Sequence, residues 1–597
     1  MKIKKIGSLL SCCTVLSLTG NFTQADPISQ VISFGDSNAD AGVNAALSTS
    51  VLFGNPAPTI GSVGGRFSNG PVPVEEAASD IGVNLVSYGV GGATTGTYSF
   101  GVIPSLLTQI PMYQATLPSP SLDPDALYVI TAGSNDLYGL TGRVPTATIE
   151  TAMSNIETAV TTLSDAGARN IIVVNRTVRP DPTSQNDANG TILNAALAST
   201  VSNLDESLDS EVLYLDVYGI SSALQSNPSA YGLTGGSALC IEDPACISDP
   251  DGVGATYVRF DSAHLAQGAN AIIAQEMVRL LVMQSAPSQV AFLPMLGVDL
   301  QRNNSTTALA AGAFASSDPV GTVHPVVIAH YNAQRYDNSG SDTDADIAGL
   351  MVGAKYKVTD EWALGLVTGY DRIDVDREAN HAGLDARQTY VYGTMQYESG
   401  PLSVDGVVGY GYADFRQITR ESPIFAKERI NRGDTSGSNW GALVRASYDV
   451  YAAQGLRLGP MVQLDYWKSK LDGYTEKGGD SSALRFGDFD VSSSRLGIGP
   501  RLRYEFVSDG GNRTNFEFSA LYEHELASNE GKITASSPRF SFISYSEKGR
   551  EFDDDIVQLS AAAETDLGPV NAALRLNTRI GDDSRSLNAA IGVSYDF

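Results

Sequence analysis

Two textures of apolar and polar positions divide the chain. Over residues 26 to about 284, short unbroken apolar runs alternate with stretches of helical period. Leu127-Tyr128-Val129-Ile130 and Ile171-Ile172-Val173-Val174 are apolar at every position, the pattern of strands covered on both faces. Between them Ile149, Met153, Ile156, Val160 and Leu163 fall on one helical face. Residues 213–217 read as a further strand, and 265–283 as a final helix. Strands alternating with helices predict a parallel sheet between two helical layers, an α/β three-layer domain. From about 324 onward the period changes to two, in about twelve segments separated by polar, Gly- or Asp-rich turns. In the last of them Ala589, Ile591, Val593, Tyr595 and Phe597 alternate with Ala590, Gly592, Ser594 and Asp596. One face is apolar and the other small or polar, as a strand between lipid and a wet lumen requires. Stretches 363–370 and 515–522 repeat the pattern. An even number of such segments is what an outer-membrane barrel requires, and a signal peptide, tyrosines at strand ends and the terminal aromatic residue weigh against a soluble barrel or sandwich. Residues 285–323, rich in Ala, Ser, Gly and Pro, read as a linker with a short small-residue helix inside it.

A chain of 597 residues is too long for one core and agrees with at least two domains. The net charge of −28 argues against nucleic acid or anionic lipid headgroups as partners. At the N-terminus Lys2, Lys4 and Lys5 precede an apolar stretch, 6–18, and Thr23-Gln24-Ala25 supplies small residues before Asp26. This predicts a cleaved secretory signal over 1–25, too short to span a bilayer. Ser11 and Cys12 match a lipoprotein cleavage box poorly, so lipidation is the minor alternative. With Cys12 and Cys13 removed, Cys240 and Cys246 remain, close together in an exported chain, and a small-loop disulfide is expected.

The first apolar run, 31–34, ends in Gly35-Asp36-Ser37-Asn38, which places Ser37 at a strand's C-terminal edge, where α/β sheets bind ligands. A serine there is either a helix cap or a nucleophile, and a nucleophilic serine needs a base. Of five histidines only His264 precedes the barrel. In Asp261-Ser262-Ala263-His264 a carboxylate three residues back is placed to orient the imidazole; taken alone, the same four residues are an ordinary helix N-cap. A glycine-rich stretch, 87–94, lets backbone N–H groups approach a ligand. Ala132-Gly133-Ser134-Asn135-Asp136, after the strand at 127–130, offers the Asn135 amide as a donor that does not titrate. Singly these are a flexible loop and an Asx turn.

In this order the four blocks resemble the GDSL, or SGNH, family of serine esterases and lipases. The resemblance implies a flavodoxin-like hydrolase with Ser37 as nucleophile, His264 as base and Asp261 as its orienter. It implies an oxyanion hole from the Ser37 and Gly92 N–H groups and the Asn135 amide, with Gly91 the alternative to Gly92. Gly65-Arg66-Phe67-Ser68-Asn69-Gly70 is similar to a segment of the family's lipase-like branch. The chain departs from the family in having Asn38 for the namesake leucine and Ser87 where many members carry asparagine. No G-x-S-x-G elbow surrounds Ser37, against an ordinary α/β-hydrolase. No metal or organic cofactor is implied.

The C-terminal half resembles the autotransporter translocators, twelve-stranded barrels ending in phenylalanine with a helix in the pore, for which 301–316 is the candidate. Some members cut themselves between paired asparagines, as Asn303-Asn304 are. The combined resemblance implies a signal peptide (1–25), an esterase passenger (26–284), a linker with the pore helix (285–323) and a barrel (324–597). It implies a monomer in the outer membrane, inserted by the barrel-assembly machinery, with the passenger at the cell surface acting on ester or lipid substrates. Phospholipase, acyltransferase or carbohydrate acetylesterase chemistry fits the same scaffold. A non-catalytic adhesin is the rival from another class.

Overall fold

The computed structural model describes residues 27–42, 61–99, 102–310, 319–337, 342–377, 383–477, 481–508 and 511–595. The expected signal peptide, Cys12, Cys13 and the terminal Phe597 lie outside the described residues, as does the end of the expected pore helix, 311–316.

The N-terminal domain is built on five parallel strands: β1 (Gln30–Gly35), β2 (Asn84–Ser87), β3 (Leu127–Thr131), β4 (Asn170–Val174) and β5 (Glu211–Leu215). They lie in the order β2-β1-β3-β4-β5. Each unbroken apolar run divides its side chains between two cores. Ile32, Phe34, Tyr128, Ile130, Ile171 and Val173 pack against α2 (Leu106–Gln114), α3 (Thr146–Asp165) and α4 (Gln185–Ser207). Val31, Leu127, Val129 and Ile172 face α1 (Pro73–Ile81), α5 (Val217–Ser226) and α6 (Gln267–Val290). A strand buried on both faces has no polar side, which is why these runs show no alternation. The register sets Gly35 opposite Thr131 and Thr131 opposite Val174, so three strands end on one line.

The stretch read as a linker with a short helix is helical over much of its length. α6 runs on to Val290, and α7 occupies Phe292–Ala310. Alanine is the strongest helix former, so the small-residue composition favours helix as much as loop. The break at Ala291 has a local cause. Pro294 has no N–H for the Val290 carbonyl, and its ring crowds that carbonyl four residues back.

The barrel consists of twelve long antiparallel strands from Val323–Tyr336 to Ser584–Tyr595, and the last pairs with the first, Ile591 opposite Ala329. The predicted alternation is present: Ile591, Val593 and Tyr595 are exposed on the outer surface while Ala590 and Ser594 are buried toward the lumen. α7 fills that lumen. Its Asp299 accepts hydrogen bonds from Gln334 Nε2 at 2.7 Å and Tyr336 Oη at 2.9 Å, its Gln301 accepts one from Tyr392 Oη at 2.6 Å, and Lys355 Nζ donates to the Leu309 carbonyl at 2.7 Å.

One end of the barrel carries short turns, the other long loops that hold a small sheet of Tyr474–Thr475, Arg485–Phe486, Lys532–Ser536 and Ser544–Lys548. The N-terminal domain sits on these loops. Ile28 N–H donates to the Ile424 carbonyl at 3.1 Å and Ala426 N–H to that of Ile81 at 2.9 Å. Arg429 pairs with Asp80 at 2.8 Å, and Tyr231 stacks on Phe540 at 5.2 Å between ring centroids.

Candidate active site

The site lies on the line where β1 and β3 end. Gly35, the last residue of β1, has φ +123°, and a Cβ there would stand 1.9 Å from the Thr131 carbonyl oxygen, so only glycine lets the two strands end together. Gln109 of α2 clamps this residue, its Oε1 accepting the Gly35 N–H at 2.6 Å and its Nε2 donating to the Gly35 carbonyl at 2.9 Å. Asp36 then takes the Asn38 N–H at 3.0 Å and the Asn38 side-chain amide at 2.9 Å, tightening the turn around Ser37. Burial of that carboxylate raises its pKa against these bonds.

Ser37 Oγ lies 2.7 Å from His264 Nε2 across 227 residues of sequence. On the other side of the ring, His264 Nδ1 is 2.8 Å from Asp261 Oδ2 and 2.9 Å from Oδ1. Asp261 also accepts the N–H groups of Ala263 and His264, both at 2.7 Å. Burial pushes the Asp261 pKa up, but the bonds from His264 and the backbone overcome it and hold the carboxyl down to about 2. Asp261 thus caps its own turn and partners the imidazole, while the N-cap of the following helix is Ala266 and not Asp261 as the helix-cap reading expected.

The 65–70 segment supports the histidine from behind. The Phe67 ring centroid is 5.1 Å from that of His264, Ser68 Oγ donates to the Leu265 carbonyl at 3.2 Å, and Asn69 Oδ1 accepts the Gln267 N–H at 2.9 Å. The disulfide joins Cys240 and Cys246, both buried, in a small cluster with Phe260 and Ala266. Cys240 N–H donates to the Arg259 carbonyl at 3.0 Å, and Ile241 N–H to that of Phe260 at 3.1 Å, so the bridge braces the strand-like stretch leading into Asp261.

On the far side of Ser37, Asn135 opens a short 3₁₀ turn after β3, and its Nδ2 donates to the Ala93 carbonyl at 2.9 Å. An amide nitrogen carries two hydrogens, so one remains for a ligand. Gly91 and Gly92 differ in their hydrogen bonding. Gly91 N–H donates to Asp40 Oδ2 at 3.0 Å, whereas among the described residues nothing accepts the Gly92 N–H. Gly92 has φ +87°, and its carbonyl is held by the Ser99 hydroxyl at 2.7 Å. Ser87 donates instead to the Ala39 carbonyl at 2.7 Å, a structural bond that ties the loop to the Ser37 turn. Sequence reading missed Asp40, Gln109 and Asp136. Asp40 and Gln109 have no pattern to mark them, Asp136 stands out only as part of its block, and each bonds a backbone N–H remote in sequence: Gly91, Gly35 and Thr95.

Residues 31–277 match the family model described as GDSL-like lipase/acylhydrolase, and residues 327–579 match the autotransporter beta-domain. Esterase EstA of Pseudomonas aeruginosa is 26% identical, with 99% of this chain and 99% of that protein covered. An uncharacterized protein of the trpE-trpG intergenic region in Pseudomonas putida is 28% identical over 87% of this chain and 92% of its own length. Among solved structures, the translocator domain of the autotransporter NalP from Neisseria meningitidis matches with a TM-score of 0.40 and 14% identity, over 52% of this chain and 99% of that one. The N-terminal domain belongs to the GDSL lipases and acylhydrolases, and the C-terminal domain to the autotransporter beta-domains. The whole is an outer-membrane autotransporter whose exposed passenger is a carboxylic ester hydrolase.

Proposed function

We propose that Ser37, His264 and Asp261 carry the hydrolysis, with the Ser37 and Gly92 N–H groups and the Asn135 amide as oxyanion donors. The observation that carries this reading is the continuous chain from Ser37 Oγ through the imidazole to Asp261, with 2.7 Å and 2.8 Å links, at the sheet edge. Ser37 Oγ attacks the ester carbonyl carbon while its proton passes to His264 Nε2. The carbonyl oxygen becomes an oxyanion facing the three donors, and Asp261 stabilises the imidazolium. Collapse breaks the bond to the leaving oxygen, which takes the proton from His264 and departs as alcohol. Water then adds to the acyl-enzyme by the same route, releasing the acid and restoring the Ser37 hydroxyl.

The activity that gives Esterase EstA its name is extended here to this chain, with lipids or other carboxylic esters as substrates. The division into a signal peptide (1–25), passenger (26–284), linker and pore segment (285–323) and barrel (324–597) completes the reading. Insertion by the barrel-assembly machinery and a monomeric state belong to it as well. In support of the monomer, every barrel strand is paired and the chain's own helix fills the lumen, so the closed barrel offers no open edge to a second copy.

The test is ester hydrolysis by full-length protein in detergent. Ser37→Ala is expected to abolish turnover, and Asn135→Ala to lower kcat about a hundredfold or more, the size of one lost oxyanion donor. Normal turnover by Ser37→Ala would refute the triad.

A further inference from the structure

Acyl transfer as described makes no use of Asp40, yet its side chain is fully buried (0% exposed) three residues beyond the nucleophile. One carboxylate oxygen accepts the Gly91 N–H at 3.0 Å and the other accepts the Gly42 N–H at 3.0 Å. Gly91 sits directly before the oxyanion donor Gly92. The Phe67 ring closes over it so tightly that a Cβ would stand 2.2 Å from a ring carbon. Three residues beyond Gly92 the loop is gripped again, as Asp136 accepts the Thr95 N–H at 3.0 Å and its hydroxyl at 2.7 Å.

We propose that Asp40 is the positioning residue of the oxyanion hole: by taking the Gly91 N–H it fixes the following peptide so that Gly92 N–H faces the reacting carbonyl. The inference rests on the assignment of Ser37, Gly92 and Asn135 proposed above. A carboxylate is acceptor-only and serves two N–H groups with its two oxygens, whereas an amide serves one and turns an NH2 against the other. Because Asp40 lies three residues after Ser37, its bond to Gly91 links the nucleophile's turn to the glycine loop.

The ionised form is held at a cost. Burial raises the Asp40 pKa to about 6, against the lowering effects of the Gly91 and Gly42 bonds and of Arg66. The charged groups facing it are Arg66 and Glu75, paired with each other at 2.6 Å. An unfolded aspartate titrates near ~4, so the stability belonging to protonated Asp40 is complete below that pH and is lost as pH rises through about 6. Ionised Asp40 therefore weakens the fold while serving the site, and a neutral substitute is expected to spare stability and cost activity.

Full-length protein in detergent, assayed on a p-nitrophenyl ester, tests this with Asp40→Asn. At pH 8 kcat is expected to fall about tenfold or more, short of the loss from deleting a donor outright, with KM unchanged and Tm not lowered. Below pH 6 the variant's kcat is expected to fall less steeply than that of the wild type. Combining it with Asn135→Ala is expected to cost less than the product of the two losses, because both act on one oxyanion. Wild-type kcat and acid limb in Asp40→Asn, or a loss confined to KM, would overturn the proposal. Ser37→Ala in the same series separates the cases. If it still turns over, the reading of the site fails; if it is inert while Asp40→Asn is normal, only the role of Asp40 fails.

Discussion

Arg302 on the pore helix donates its Nε–H to Asp465 of the barrel wall at 2.9 Å, and both side chains are fully buried. The guanidinium also bonds Ser493, so the helix is fixed to two neighbouring strands by one residue. Removing one partner of such a pair leaves the other charge buried and alone. Arg302→Ala is expected to destabilise the plugged barrel by about 3–5 kcal/mol, read as a lower melting temperature of the full chain in detergent. An unchanged melting temperature would show that the lumen hydrates Asp465 freely.

The same helix bears on whether the passenger stays attached. Asn303 and Asn304 lie inside α7, well within the lumen. Asn303 Oδ1 accepts from Arg579 at 3.3 Å, and Asn304 Nδ2 donates to Asp371 at 2.7 Å. With the backbone helical and both side chains engaged by the wall, the pair is expected to remain uncut. Outer-membrane fractions should hold the enzyme as one chain, and protease added to intact cells should strip the hydrolase and leave a barrel fragment. Activity in the medium on a fragment ending near Asn303 would contradict the tether.

Asp261 gives a pH dependence of opposite sign to that of Asp40. Its folded pKa of about 2 lies below the unfolded value near ~4, so its stabilisation is present above that value and is lost as pH falls toward about 2. The contribution is about 2 kcal/mol at neutral pH. Asp261→Asn is expected to melt earlier than the wild type at pH 7, the difference shrinking toward pH 2, and to lose roughly a thousandfold or more in kcat. A stability difference that does not depend on pH would contradict the assignment.

Mapping of peptides from the exported protein without reductant is expected to recover Cys240 linked to Cys246. The loop between them is short, so Cys240→Ser with Cys246→Ser is expected to cost less than about 3 kcal/mol. Two thiols open to alkylation in the native protein would refute the bridge.

Much of the architecture is legible in side-chain period. Runs apolar at every position, such as 127–130 and 171–174, became the doubly covered strands. Strict alternation at 363–370, 515–522 and 589–595 became barrel wall. That Ser37, Asp261 and His264 come together was legible because each stands in a short block beside a strand or helix end. The pore helix was only partly legible. The helix is buried nearly all round, apolar residues such as Leu296 and Leu300 beside polar ones, so it shows no single apolar stripe, and Asp299, Gln301, Arg302 and Asn304 meet partners on different strands. Nor did the loops announce their small sheet, whose strands of two to five residues carry too few positions for a period. Gly91 and Gly92 are equivalent in sequence, and only the place of Asp40 separates them.

As the proposed nucleophile of an exposed passenger, Ser37 must be reactive from outside the cell. The most direct measurement treats intact cells with a fluorophosphonate too polar to cross membranes and maps the labelled peptide. The expected result is one adduct, on Ser37, formed without lysis, absent from Ser37→Ala and strongly slowed in His264→Ala. An adduct on another serine, labelling that persists in Ser37→Ala, or labelling that begins only after lysis would contradict it.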